Sequence, residues 1–125
     1  MNPEIIIMKL KKSMLYALAG IQSCFKSEIN FRIHFIAAIL ALILSLLLKI
    51  SSTEWLAICF CIAFVITMEM LNTAIEKLCD IVHQEIHPAI KTIKDIAAGA
   101  VLVSAVFSLI AGSIIFLPKI FFYLK

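Results

Sequence analysis

The sequence predicts an all-α membrane protein: an N-terminal amphipathic surface helix followed by three transmembrane helices packed as a bundle. Three observations carry this expectation. The chain is 63% hydrophobic and only 15% charged, with a mean hydropathy of +1.10, whereas a soluble domain is roughly half apolar. Its apolar residues gather into three long runs instead of alternating as strands do. Ahead of those runs, apolar residues recur at spacings of three and four, the period of a helix with one apolar face. At 125 residues the chain is expected to form one domain, residues 1–125, with no separate soluble catalytic domain beside a membrane anchor.

The surface helix is expected over about residues 4–26. Ile7, Leu10, Met14, Ala17, Leu18, Ile21 and Phe25 share one side, while Lys9, Lys12, Ser13, Gln22 and Lys26 fall mostly on the other. Such a helix suits the membrane surface, with its lysines near anionic head groups. A cleaved signal peptide is the rival reading. It is disfavoured because the apolar core after Lys12 is short and broken by Gln22 and Ser23.

A spanning helix needs about 20 mostly apolar residues. The first is expected over residues 31–50, around "FIAAILALILSLLLKI", where His34 is the one ionisable residue from Ile33 to Leu48. The second, 54–72, stays apolar from Trp55 to Met68 and spans only if Glu69 lies within the membrane or at its edge. The third, 96–117, carries no charge. Pro88 is expected to end or interrupt helix in the connector before it, and Pro118 to mark its end.

Lysine and arginine placement orients the bundle. Lys9, Lys11, Lys12, Lys26 and Arg32 precede the first span, and Lys77, Lys91 and Lys94 lie between the second and third. Lys49, Lys119 and Lys125 fall on the other side. The expectation is a multi-pass protein of the cell (inner) membrane, N-terminus cytoplasmic and C-terminus outside. The net charge of +3, with no long basic stripe, argues against a nucleic-acid partner. Cys24, Cys59, Cys61 and Cys79 match neither a zinc ribbon nor a CxxC redox motif and read as small apolar filler.

One stretch breaks the apolar pattern. "MEMLNTAIEKLCD", residues 68–80, brings Glu69, Asn72, Glu76 and Asp80 to the end of the second span. On a helical wheel these four and His83 share a stripe about 80° wide, bordered by Thr73. Ionisable groups at membrane depth normally face a bundle interior or a wet cavity. Three carboxylates on one stripe repel each other unless a cation sits among them. A hard divalent cation with oxygen ligands fits, and magnesium in particular takes one or two carboxylates plus a substrate's phosphates. Polar residues used only to hold helices together are the bland alternative.

More charge converges on the same side. Glu28 precedes the first span, and Lys94 with Asp95 precedes the third. Lys94 alone reads as a topology lysine; beside Asp95 and abutting an uncharged helix it becomes a phosphate contact. The sequence contains no GxxxxGK[ST], GxGxxG, HExxH or nucleophile elbow. A bound nucleotide would therefore be held by metal and side chains, as phosphoryl transfer permits. Two other classes stay open on residues alone: a small proton-coupled transporter using Glu69 as a relay, and a structural subunit.

The stretch "MEMLNTAIEKLCD" resembles the signature of the prokaryotic diacylglycerol kinase family, through Glu69, Asn72, Thr73, Ala74, Ile75, Glu76 and Asp80. "IKDIAAGAVL", with Lys94 and Asp95, resembles its second signature, and "SEINFRIH" the segment with its further acidic residue, Glu28. The resemblance covers nearly the whole chain. It implies an ATP- and magnesium-dependent lipid kinase working as a homotrimer, with active sites shared between protomers at the cytoplasmic face. It further implies that Glu69 is the general base toward the lipid hydroxyl, that Glu28 and Glu76 hold metal bound to ATP, and that Asn72, Lys94 and Asp95 complete the site. Tyr16, Glu85 and His87 match nucleotide contacts, the last two in "QEIH". Lys9 stands where some members have arginine, keeping the charge but losing the bidentate fork. The family has a diacylglycerol branch and an undecaprenol branch. "IHPAIKTIKDIAAGAV" and "IIFLPK" look more like the undecaprenol branch. Asp80 is expected to serve structure before chemistry.

Overall fold

A computed structural model describes residues 1–83 and 85–125. They form four helices: α1 (Pro3–Ser27), α2 (Ile29–Leu47), α3 (Ser52–Val82) and α4 (Pro88–Leu124). Among the described residues there is no strand.

Local chemistry sets each helix end. Asn2 is extended, and its side-chain oxygen accepts the Glu4 N–H at 3.0 Å, with Pro3 starting α1. That order satisfies an orphan donor, uses proline where its missing N–H is harmless, and places an acid at the positive end of the helix dipole. α1 stops at Glu28, a single extended residue (φ −121°, ψ 113°) that is at once the C-cap of α1 and the N-cap of α2. Its N–H donates to the Cys24 carbonyl at 3.0 Å. Phe25 locks the corner by meeting Phe31 and Phe35 edge-on, with centroids 4.9 and 4.7 Å away. The Arg32 guanidinium donates across it to the Lys26 carbonyl at 3.2 Å.

α2 ends in a Schellman turn. The Ile50 N–H reaches the Ser45 carbonyl and the Lys49 N–H the Leu46 carbonyl, both at 3.4 Å. The turn puts Lys49 at φ 49°, the left-handed region where glycine is usual. An L-residue there costs roughly 1–2 kcal/mol, partly offset by glycine's larger unfolded-state entropy. Lys49→Gly is therefore expected to stabilise the protein by about 1 kcal/mol, measurable as a raised denaturation midpoint in detergent. A lowered midpoint would contradict the strain.

α3 opens with a capping box. Ser51 accepts the Glu54 N–H at 3.2 Å, and the Glu54 carboxylate accepts the Ser51 N–H at 3.0 Å. The helix continues beyond the expected span as far as Val82, carrying its polar stripe past the apolar run. α3 packs chiefly along α4 and secondarily against α2. At the end of the bundle remote from Glu69, Ile50, Ile58 and Ile115 are buried, with Trp55, Ile62 and Phe116 packed around them. Glu54 and Lys119 pair at 3.2 Å at this end.

Two expectations change here. His83 was placed on the helical stripe, but the helix ends at Val82 and His83 is its extended C-cap (φ −152°), so it leaves the stripe. Pro118 was expected to mark the end of the last helix, yet α4 runs through it to Leu124. Proline removes one backbone bond, a loss that spanning helices tolerate where neighbouring groups or a local adjustment of the helix re-satisfy the freed carbonyl. Pro88 stands at the first position of α4, behind a cap from His87, whose Nδ1 accepts the Ala89 N–H at 3.1 Å.

α2, α3 and α4 are each long and apolar enough to cross a membrane. Leu56, Phe60, Leu102, Phe107 and Leu109 are all largely exposed. That is more apolar surface than a protein in water tolerates, and all of it lies on helices, as a bilayer demands.

Candidate active site

The polar stripe of α3 faces its neighbours. Glu69, Asn72 and Thr73 are buried, as Phe31 is at the foot of α2. Thr73 donates its hydroxyl to the Glu69 carbonyl at 2.9 Å, the local bond a helical threonine makes when water is absent. The Asn72 Nδ2 donates to the Glu76 carboxylate at 3.3 Å, one turn on. The other end of that amide, Asn72 Oδ1, is buried with no partner among the described residues. An orphaned buried acceptor is uncommon in a folded protein, and here it lies beside a carboxylate.

Glu69 has a neighbour that the sequence expectations left out of the site. The His34 imidazole on α2 places Nε2 3.2 Å from Glu69 Oε1, with the Glu69 side chain 4% exposed and the His34 side chain 26%. The signal was present in the sequence: His34 is the one ionisable group inside an apolar run, and such groups mark functional positions as readily as Glu69 does. Glu28 and Glu76 both lie within Coulombic range of Glu69, so the corner between α1 and α2 brings the three expected carboxylates into one region.

On the other flank, Lys94 reaches from α4 to Asp80, Nζ to Oδ1 2.6 Å, and lies within Coulombic range of Glu76. Asp80 thereby ties α3 to α4. Both partners are substantially exposed, 37% for Lys94 and 67% for Asp80, and exposed pairs contribute little. Asp80→Asn is accordingly expected to keep turnover within about fivefold of the parent, checked by a steady-state kinase assay. A hundredfold loss would make Asp80 part of the chemistry.

The remaining expected residues stand apart within one chain. Asp95 pairs with Lys91 at 2.6 Å on the exposed face of α4. His87 caps α4 and meets His83 edge-on at 5.3 Å. The Glu85 carbonyl accepts from His83 Nδ1 at 2.9 Å, and Glu85 is exposed. Lys9 and Tyr16 lie along exposed α1 and, among the described residues, make no hydrogen bond or ion pair with the cluster.

The donor set can be tested against magnesium. Among the described residues, no three His, Cys, Asp or Glu side chains converge as a ready-made cage. Magnesium does not need one, since it keeps waters and phosphate oxygens and takes one or two carboxylates. Glu76, with the orphaned Asn72 Oδ1 beside it, supplies hard oxygen donors of that kind; Glu28, like Glu76, lies within Coulombic range of Glu69.

A groove opens from the same region. Ile33 and His34 line one end and Phe116 and Leu117 the other, with Ala41 and Ile62 among the walls between, enclosing about 480 Å³. Its lining on α4 runs from Ala105 to Leu117, about 18 Å at 1.5 Å per residue.

A family model described as prokaryotic diacylglycerol kinase matches residues 15–116. The chain belongs to this family. An undecaprenol kinase of Bacillus subtilis is 44% identical over 109 residues, covering 87% of this chain and 89% of that protein. A diacylglycerol kinase of Synechocystis is 35% identical over 109 residues, 86% of this chain and 62% of that protein. A diacylglycerol kinase of Escherichia coli K12 is 25% identical over 107 residues, 86% of this chain and 88% of that protein. This member of the family is thus an integral membrane lipid kinase, a phosphotransferase with an alcohol group as acceptor. Membership sets aside the transporter and structural-subunit readings. The matched region holds every expected site residue except Lys9.

Proposed function

We propose that the protein uses ATP and magnesium to phosphorylate the hydroxyl of undecaprenol, giving undecaprenyl phosphate. The 44% identity to the Bacillus subtilis undecaprenol kinase, over nearly the full length of both chains, carries the choice of lipid. Diacylglycerol is the second reading, favoured by the 35% identity to the Synechocystis diacylglycerol kinase.

In this reading the lipid enters sideways from the bilayer, and its chain lies along the apolar groove with its hydroxyl at the His34 end. Glu69 accepts the hydroxyl proton as the hydroxyl oxygen forms its bond to the γ-phosphorus and the bond to the ADP oxygen breaks. Glu28 and Glu76 would hold magnesium, which neutralises phosphate charge when bound. Asn72 orients the Glu76 carboxylate through its amide. Lys94 supplies positive charge toward the phosphates, and Asp95 lies beside it. Glu85, His87, Tyr16 and Lys9 would contact the nucleotide. The exposed positions of these last four suit completion by a neighbouring protomer, in a homotrimer with shared active sites. The N-terminus and the α3–α4 connector face the cytoplasm of the cell (inner) membrane, where ATP is, and the C-terminus lies outside.

The test is a side-by-side assay of detergent-solubilised protein with ATP, with and without magnesium, on undecaprenol and on diacylglycerol. The expected outcome is magnesium-dependent turnover with kcat/KM higher for undecaprenol. A preference for diacylglycerol would move the chain to the second reading.

A further inference from the structure

Three carboxylates of equal intrinsic chemistry belong to this site in the proposed reading, and only one of them takes the hydroxyl proton. We propose that His34 is the positioning residue that keeps the Glu69 carboxylate in place for the lipid hydroxyl. The inference rests on the reading of Glu69 as the base.

Geometry carries it. His34 Nε2 lies 3.2 Å from Glu69 Oε1, within reach of a charge-assisted hydrogen bond. Among the described residues it is the only cationic or potentially cationic side chain paired with Glu69. The others nearby are engaged elsewhere: Arg32 on the Lys26 carbonyl, Lys77 on the Ser23 hydroxyl and Lys94 on Asp80. The contact joins α2 to α3, so it fixes the carboxylate relative to a second helix. The Thr73 bond fixes only the Glu69 backbone, which leaves three side-chain torsions for His34 to restrain.

Access agrees. His34 forms part of the groove wall, so a hydroxyl arriving along the groove meets the His34–Glu69 pair before it meets Glu76. Without the imidazole, the carboxylate would be free to turn about its side-chain torsions and leave the position a base must hold. Misplacing a reacting group by about 1 Å costs on the order of 100-fold.

The experiment compares His34→Leu with His34→Gln in the full-length protein, measuring kcat and the KM for magnesium–ATP. Glutamine puts an amide N–H near the position of Nε2 but carries no titratable proton; leucine fills the space with no donor. His34→Leu is expected to lower kcat about 10- to 100-fold while the KM for magnesium–ATP stays constant or falls. His34→Gln should recover most of the loss. Thermal unfolding in detergent and binding of a non-hydrolysable ATP analogue show that each variant is folded. If His34→Leu keeps parent turnover, or if a folded His34→Gln is as slow as His34→Leu, positioning is overturned. Glu69→Gln run in parallel separates the two ideas. Substantial activity in Glu69→Gln removes the base and the present inference with it. An inactive Glu69→Gln beside a fully active His34→Leu removes the present inference alone.

Discussion

Glu69→Gln is expected to fold, insert and bind ATP as the parent does, yet to turn over at one-hundredth of the parent rate or less. Positioned general bases contribute about 10²- to 10⁴-fold, and glutamine keeps the shape of the side chain while removing its ability to accept the hydroxyl proton. The amide can still meet His34 across the α2–α3 interface, so packing is retained and the loss falls on kcat. Single-turnover phosphorylation of a lipid alcohol, alongside nucleotide binding by a non-hydrolysable analogue, reads the two effects separately. Near-parent turnover in a folded variant would take the base assignment away from Glu69.

Glu76→Gln should fail differently. Glu69 and Glu76 are seven residues apart on one helix, about 10 Å along its axis, too far for one group to substitute for the other. Glu76 is held by Asn72 Nδ2, with the orphaned Asn72 Oδ1 beside it, and would lose charge where magnesium is expected. A metal clamp on a transferring phosphoryl group is worth several kcal/mol. The magnesium concentration for half-maximal rate should therefore rise at least about tenfold, and kcat/KM for ATP should fall at least about 100-fold at fixed metal. A magnesium titration at saturating lipid checks this. An unchanged half-maximal magnesium concentration would exclude Glu76 as a ligand.

Much of this was legible in the sequence because it depends on period. Three apolar runs gave three long helices, and the spacing of Glu69, Asn72 and Glu76 put them on one face, where Asn72 and Glu76 are indeed bonded. What escaped depends on how helices rotate against each other and where they stop. The wheel carried His83 one residue too far, because no period announces that α3 ends at Val82. The Lys94–Asp80 bond crosses a connector whose length does not fix the facing of α4. The His34–Glu69 contact joins residues 35 positions apart and needed the α1–α2 corner to be built first. Pro118 followed the rule for helices in water, whereas the lipid-facing α4 continues through it.

That corner also bears on how such a chain can change over time. A single residue, Glu28, separates α1 from α2, with Phe25 wedged against Phe31 and Phe35 across it. One residue added between Glu28 and His34 would turn the rest of α2 by about 100°. Either the aromatic wedge or the His34–Glu69 pair would then be out of phase. The segment from Phe25 to His34 therefore behaves as a ruler whose length cannot drift, although its individual letters can. Natural length variation is expected to collect in the connector between α3 and α4 instead, where an added residue shifts no helix phase on the α1–α2 side of the site.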